Sequence, residues 1–568
     1  MLLFLNHPST YQIDLLLLQN NMPESSNNGG PHKIAHVSII GNERIKTSYF
    51  AKEFAATGLN RRSFGNMDEL QMALADRMEH MRSTDLFHTV DGSIRVPVKL
   101  VNGEETEALD FSKVHVQLEV KEKRIEHLIT NVEGSMGGKS SVPLSAGMQA
   151  GFRSPFGYGE KIRIGADTVL RGLKLPRINY SASLDMPHVG PGLDDVSVTL
   201  ARSTDDNRFY QSFQEVSDSI TAQMKSRDGM RNYVSSFTVR DEVPSPHHSK
   251  VNPYMRDATS QIMATAASST KFSIKTFNKW LDTRDVPSIP SRGSLLQSDL
   301  EVALPPGSAQ FVKGEVSAQH TISLGPKILG EHGLVCTLSA TAGLLVPFAA
   351  FTSGKKTTGQ DGHSSQQQRN LRTYLSDRFV IGGPLNLRGF DPCGVGARSV
   401  GGREYLKGVD GSPSVSKTTA VDANSSDGAK SADPSIMDNI MERSLTGPKG
   451  DTLGGVSKLL VSAVFSAPLP FKDLSENSVF RGIRAIAFVN AGAMGSPDYW
   501  ARRRYNLDNN NSLPSVPVLG PLRMSAGAGF CVNFMGNARM EMTYSVPLLK
   551  AQQDITRPFQ IGVGLTVG

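Results

Sequence analysis

The stretch ARMEMTYSVPL, residues 538–548, alternates with a period of two. Met540, Met542 and Tyr544 fall on one face, and Arg539, Glu541 and Thr543 on the other. Successive side chains of a β-strand point to opposite faces, so this segment reads as a strand with one apolar and one polar face. What lies against each face decides the fold.

The same period recurs from about residue 145 to the end. In NYSASLDM it places Tyr180, Ala182, Leu184 and Met186 together, and in DVSVTLARS it does so with Val196, Val198 and Leu200. The segments EVALPP, GLVCTLSATAGLLVPF, KLLVSAVFSAPLPF, AIAFVNAG and FQIGVGLTVG continue it. Roughly sixteen such segments occur, many close to the ~10 residues that carry a tilted strand through a bilayer. Nowhere is there a run of about 18 apolar residues, which excludes a transmembrane helix and leaves a transmembrane barrel open. A soluble sandwich alternates too. The polar face, however, is rich in Gly, Ser and Thr on strand after strand, which suits a wet lumen and not a dry core shared by two sheets.

Ahead of the barrel-like region, residues 33–124 read as a small α/β domain. KIAHVSIIGN is strand-like and ends on a Gly-Asn turn signal. TSYFAKEFAATG and MDELQMALADRMEHMRS read as helices, the second with Leu70, Leu74 and Met78 at four-residue spacing. SIRVPVKLV and KVHVQLEVKEKR follow as strands. Residues 1–32 are expected to be a disordered extension, with Met22 as an alternative start: the apolar runs are short, broken by Asp14, and lack the basic residues of a leader. Two polar stretches, 352–370 and 407–436, hold too little apolar surface to order themselves and read as exposed loops.

The composition argues against several function classes. The net charge of +6 is modest for 568 residues and is no nucleic-acid signature, though it suits anionic lipid. Cys336, Cys393 and Cys531 are too few and too dispersed for a disulfide framework or a zinc site. TSGKKTTG lacks the upstream glycine of a phosphate-binding loop, and GVGARSVGG lacks the third glycine of a dinucleotide fingerprint. No HExxH or GxSxG occurs. We therefore expect no catalytic residues, no metal and no cofactor.

RFVIGGPLNLRGFDPCGVG, residues 378–396, lies between barrel strands. An arginine there would fold into the lumen, because facing lipid at mid-depth costs roughly 2–4 kcal/mol, and it would need an acceptor or an acidic partner. Phe379, Gly382, Gly383, Arg388, Gly389 and Phe390 match the loop-six motif of the outer-membrane β-barrel assembly (bacterial surface antigen) superfamily, which this stretch resembles. SPFGYGEKIRIG, GDTLGGVSKLLVSAVFSAPLPF, FVNAGAMG and RMSAGAGFCVNFMGNARMEMTYSVP resemble, in order, strands of the superfamily's mitochondrial sorting-and-assembly barrel, and residues 33–124 resemble one POTRA domain. The final QIGVGLTV fits the mitochondrial β-signal, with Gln560, Gly562, Leu565 and Val567 at its defining positions. Where bacterial relatives place acidic partners for the loop arginine, this chain has Val464 and Asn490; Glu541 is the candidate partner instead.

The resemblance implies a mainly β fold: a sixteen-stranded transmembrane barrel over about 140–568, with loop six at 380–455 and an insertion at 407–436, after one POTRA domain. It implies an insertase, not an enzyme, that folds β-barrel precursors such as porins into the mitochondrial outer membrane. Precursors would pair at a seam between a first strand at about 145–153 and a last strand at about 557–567. The partners implied are those precursors, outer-membrane lipid and accessory subunits, with the POTRA domain in the intermembrane space. A channel of the same superfamily, such as the chloroplast envelope type, is the alternative.

Overall fold

The computed structural model describes residues 10–13, 32–56, 59, 62–101, 104–109, 113–134, 144–170, 178–190, 193–208, 211–226, 229–245, 258–286, 289–324, 333–348, 373–399, 450–468, 483–498, 519–534 and 538–565. The expected loops at 352–370 and 407–436, and Val567, lie outside these residues.

The small domain contains β1 (Thr10–Ile13), β2 (His32–Ile40), α1 (Thr47–Ala56), β3 (Ser63–Phe64), α2 (Met67–Ser83), β4 (Phe87–Val101), β5 (Glu104–Leu109) and β6 (Lys113–Glu122). Its sheet runs β1-β4-β6-β2-β3, with β5 pairing β4. The extension expected to be disordered thus supplies one short edge strand, pairing Thr10–Ile13 with Ile94–Pro97. In α2, Leu70, Leu74, Met78 and Met81 form one buried stripe, and they pack on Tyr49, Phe50 and Phe54 of α1 and on the alternate valines of β6. Burying each such side chain stabilises the domain by roughly 1.5–3 kcal/mol. Asp68 and Glu69 in the first turn of α2, and His80 and Arg82 in its last, complement the helix dipole.

The barrel region follows as β7 (Glu126–Gly134), β8 (Leu144–Arg153), β9 (Lys161–Leu170), β10 (Ile178–Gly190), β11 (Leu193–Asp206), β12 (Phe213–Ser226), β13 (Arg231–Pro244), α3 (Ser260–Thr265), β14 (Ser268–Asp282), β15 (Gly293–Leu304), β16 (Phe311–Ser323), β17 (Val335–Pro347), β18 (Ser457–Pro468), β19 (Ile483–Met494), β20 (Arg523–Phe534), β21 (Ala538–Leu549) and β22 (Phe559–Leu565). Strands β7 to β22 form one antiparallel sheet of sixteen, each paired to its neighbour in sequence. The segment expected to open the sheet, 145–153, is its second strand; β7 precedes it and pairs along its whole length. Among the described residues β7 and β22 do not pair with each other.

The two faces of the sheet differ as the alternation requires. Leu200, Ile220 and Phe237 stand opposite one another on successive strands and are exposed outward, part of an apolar band suited to lipid. The inner face carries hydroxyl pairs between neighbouring strands, Ser203–Ser217 at 2.8 Å, Ser236–Ser273 at 3.0 Å and Ser317–Thr341 at 3.1 Å. Such pairs satisfy polar groups without a dry core.

The β8–β9 turn joins the barrel to the small domain. Lys46 N–H donates to the Gly157 carbonyl at 2.8 Å, and Lys46 Nζ sits 3.9 Å from the centre of the Tyr158 ring. Asp85 accepts from Arg153 at 2.8 and 2.9 Å and pairs with Lys123, tying the end of α2 to the end of β8.

Candidate functional site

The connection between β17 and β18 is the sixth on its rim and turns back into the lumen. Its two limbs pair with each other: Phe379 and Gly455 exchange both backbone hydrogen bonds at 2.9 Å, and bridges join Ile381 to Val395 and Arg398 to Thr452. Phe379 is buried under Lys313 and Lys458, whose ammonium groups lie 4.7 and 5.1 Å from its ring centre. Gly382 and Gly383 turn the chain at positive φ. The loop then runs to its tip at Arg388, Gly389 and Phe390.

Arg388 is buried and meets Glu541 of β21 as a fork. Its Nε donates to Oε2 at 2.9 Å, and its Nη2 to Oε1 and Oε2 at 3.0 and 2.7 Å. This is the bidentate geometry that makes guanidinium–carboxylate pairs strong and directional. Glu541 also pairs with Arg539 at 2.5 Å. Asn490 accepts a longer bond from Arg388 at 3.4 Å and another from Ser462 at 2.8 Å, whereas Val464 packs beside Ile486, Phe488 and Cys531. The guanidinium lies over Phe488, 4.9 Å from the ring centre.

The main chain of the tip is held as closely. Ser525 of β20 donates to the Arg388 carbonyl at 2.5 Å. Gly389 has φ +86°, and a Cβ there would stand 3.1 and 3.2 Å from the Cβ atoms of Ser545 and Ser525, so the site favours glycine twice over. Gln560 of β22 accepts from Gly389 N–H at 2.9 Å and donates to the Phe390 carbonyl at 2.7 Å. Phe390 is fully buried with Ile381, Leu387, Val395 and Met494. Gly562 lies against Pro384 and Leu385, and Leu565 pairs in the ladder with Ala538.

Further anchors were not visible in the sequence. Asp377, in a 3₁₀ turn before the motif, forms a fully buried pair with Arg240 of β13 and lies 3.3 Å from Lys271 of β14. Asp451 on the return limb accepts from Ser212 at 2.5 Å and from Thr259 N–H, just before α3, at 2.9 Å. Asp391 pairs with Arg557 at 2.9 Å, and Arg523 with Asp554 at 3.0 Å. Charges at inward positions of β13 and β14 were the available signal, but nothing in the sequence joins them to a loop residue more than a hundred positions away. Because one loop bonds to β13, β14, β20, β21 and β22, the sheet must curl around it.

The fold and site together define a class: a sixteen-stranded barrel-type sheet whose largest loop is folded into the lumen and ion-paired to its wall. The chain belongs to the Omp85 superfamily, whose domain matches residues 143–567. It is 25% identical over 289 residues to a SAM50-like protein of Schizosaccharomyces pombe, covering 50% of this chain and 42% of that one. It is 22% identical over 287 residues to the human sorting and assembly machinery component 50 homolog, covering 50% and 43%. The matched region thus spans less than half the length of these relatives. In fold it is similar to BamA from Haemophilus ducreyi lacking POTRA domains 1–3, with a TM-score of 0.59 and 14% identity over 98% of this chain and 89% of that one.

Proposed function

We propose that the protein is an insertase that assembles β-barrel precursors into the mitochondrial outer membrane. A role in β-barrel assembly is supported by the superfamily match and by the sorting-and-assembly relatives. The observation that carries the mechanism is the pair of strands at the sheet's ends. Among the described residues, β7 and β22 form no ladder with one another. Unpaired N–H and C=O groups are costly in hydrocarbon. An incoming strand satisfies them by adding to the edge, so pairing itself drives the reaction and no bond is made or broken. The small domain, a POTRA domain on this reading, faces the intermembrane space and receives clients. Accessory subunits and outer-membrane lipid complete the working complex.

The test is import into mitochondria depleted of the protein. Radiolabelled porin should stall before assembly while a matrix protein continues to enter. Failure of both together, or of the matrix protein alone, would overturn the insertase reading in favour of a translocation channel.

A further inference from the structure

One patch of the outward face departs from the apolar rule. The β8–β9 turn touches the small domain, and the strands alternate in direction, so the β14–β15 turn lies on that same rim. Close to it, β14 and β15 pair in register as far as Lys279 and Gln297, and again from Leu281 and Leu296. Trp280 is the extra residue between, a β-bulge. It stands outward beside Leu281, where an unbroken strand would send the two to opposite faces. Trp280 is 63% exposed and Leu281 43%. The indole N–H donates to the Ser298 hydroxyl at 2.8 Å, so the ring is held against β15 and its polar atom is satisfied. Nearer the rim, Ser294 stands opposite His320 of β16, its hydroxyl 2.7 Å from the imidazole Nδ1. Both share the outward face with the exposed Leu296, Val316 and Ile322. Arg292 is exposed in the turn just ahead of Ser294.

An imidazole or a guanidinium facing hydrocarbon is costly, so at the rim these groups must meet polar headgroups. We propose that the patch is a binding site for a phospholipid of the leaflet on the small-domain side. His320 and Arg292 hold the phosphate, with Ser294 fixing the imidazole. The acyl chain lies along Trp280, Leu281 and Leu296. The ligand class follows from the order of the chemistry along the wall: a cation and hydrogen-bonding groups at the rim, then the pinned indole, then aliphatic side chains. That is the order of a phospholipid from headgroup to chain. Among the described residues the imidazole is bonded only through Nδ1, which leaves Nε2 for the phosphate. Strands β14–β16 sit in the middle of the sheet, remote from β7 and β22. A lipid seated there sets the depth of the back wall in the leaflet and touches neither end of the sheet. The site does not depend on how the protein handles its clients.

The experiment uses the full chain in phosphatidylcholine vesicles that carry a trace of phosphatidylglycerol with a photoreactive acyl chain, and maps the adducts by mass spectrometry. Strands β14–β16 should take up about tenfold more label than the outer band around Ile220 and Phe237, the ratio expected for charge-assisted hydrogen bonds to a phosphate. His320→Leu and Arg292→Gln should each lower that excess, and together remove it. The first keeps the face apolar and the second lies in the exposed turn, so both variants should remain compact on unheated gels. Uniform labelling of the band, or an excess that survives the double substitution, would overturn the site. Added inorganic phosphate should leave the labelling unchanged; displacement by it would make the patch a free-anion site and overturn the lipid assignment. A photoreactive residue at Leu281 in native membranes should give lipid adducts, and a protein adduct there would assign the patch to a partner subunit instead.

Discussion

Glu541→Ala should destabilise the barrel more than Arg388→Ala, and the double variant should be more stable than Glu541→Ala alone. The reason is the asymmetry of the cluster. The side chains of Arg388 and Glu541 are 7% and 1% exposed. Glu541 serves two guanidiniums, since Arg539 stands 2.5 Å away on its other side. Removing Arg388 leaves the carboxylate with Arg539. The loss is the forked hydrogen bonds and the contact with Phe488, about 2–3 kcal/mol. Removing Glu541 leaves Arg388 buried without an anionic partner, facing Arg539 of like charge. Breaking a buried pair in that way costs about 3–5 kcal/mol. In the double variant the uncompensated buried charge is gone, so the coupling in the cycle should exceed the roughly 2–3 kcal/mol that Arg388→Ala costs alone. The assay is urea unfolding of the four proteins in liposomes, read from the fraction of compact protein on unheated gels. A double variant no more stable than Glu541→Ala would refute the reasoning, as would Arg388→Ala proving the worse single.

Two further outcomes follow from the same geometry. Gly389→Ala should cost at least the ~1–2 kcal/mol of placing an L-residue in the left-handed region, because φ there is +86° and two serine Cβ atoms crowd the new methyl. Gly65→Ala, with nothing within 4 Å of the added Cβ, should be close to neutral in the same unfolding assay. At the joint, burial opposes ionisation of Asp85, but hydrogen bonds from Lys123 and Arg153 outweigh it and hold its pKa below the usual 3.8. A depressed carboxylate pKa stabilises the folded state above its unfolded value of about 3.9 and ceases to as pH falls through the folded value. Hydrogen exchange at the β8–β9 turn should therefore be flat from pH 7 to 5 after correction for intrinsic rates and rise below about pH 4. Asp85→Asn should abolish that rise, and an unchanged acid response in the variant would exclude Asp85 as its source.

How much of this could be read from the chain depends on which forces leave a local trace. Alternation does, because a strand between lipid and a wet lumen must switch polarity at every residue; β10, β11, β17, β18, β19, β21 and β22 lie where the period placed them. The face shared by Arg539, Glu541 and Thr543 is likewise local, and it is the lumen face, with Glu541 and Thr543 buried. β7 leaves no such trace, because it follows the last strand of the small domain after only three residues, Lys123–Ile125, and opens on Glu126 and His127. Its pairing with β8 is what makes it part of the sheet. Partnerships between loop and wall leave no local trace at all. Asp377 and Arg240 are 137 positions apart, and each alone is an ordinary charge in a polar setting. Gln560 was legible as one position of a β-signal, but its clamp on the loop was not, since a single glutamine says nothing of which peptide unit it will meet.

The placement of these anchors bears on the choice between a pore and a sideways route. Loop six is a strut across the lumen, fixed at one end to β13 and β14 through Asp377 and at the other to β21 and β22 through Arg388, Gly389 and Phe390. Its return limb is pinned through Asp451 to Ser212 and Thr259, at the mouth of the barrel next to α3. Passing a polypeptide along the axis would require at least one end of the strut to let go, and each buried ion pair opened without a new partner costs about 3–5 kcal/mol. Separating β7 from β22 breaks none of these bonds, because β22 keeps its ladder with β21 and its clamp on the loop while its outer edge becomes free. The strut therefore stands in the way of axial passage and is untouched when β7 and β22 part, which is what the proposed strand addition requires.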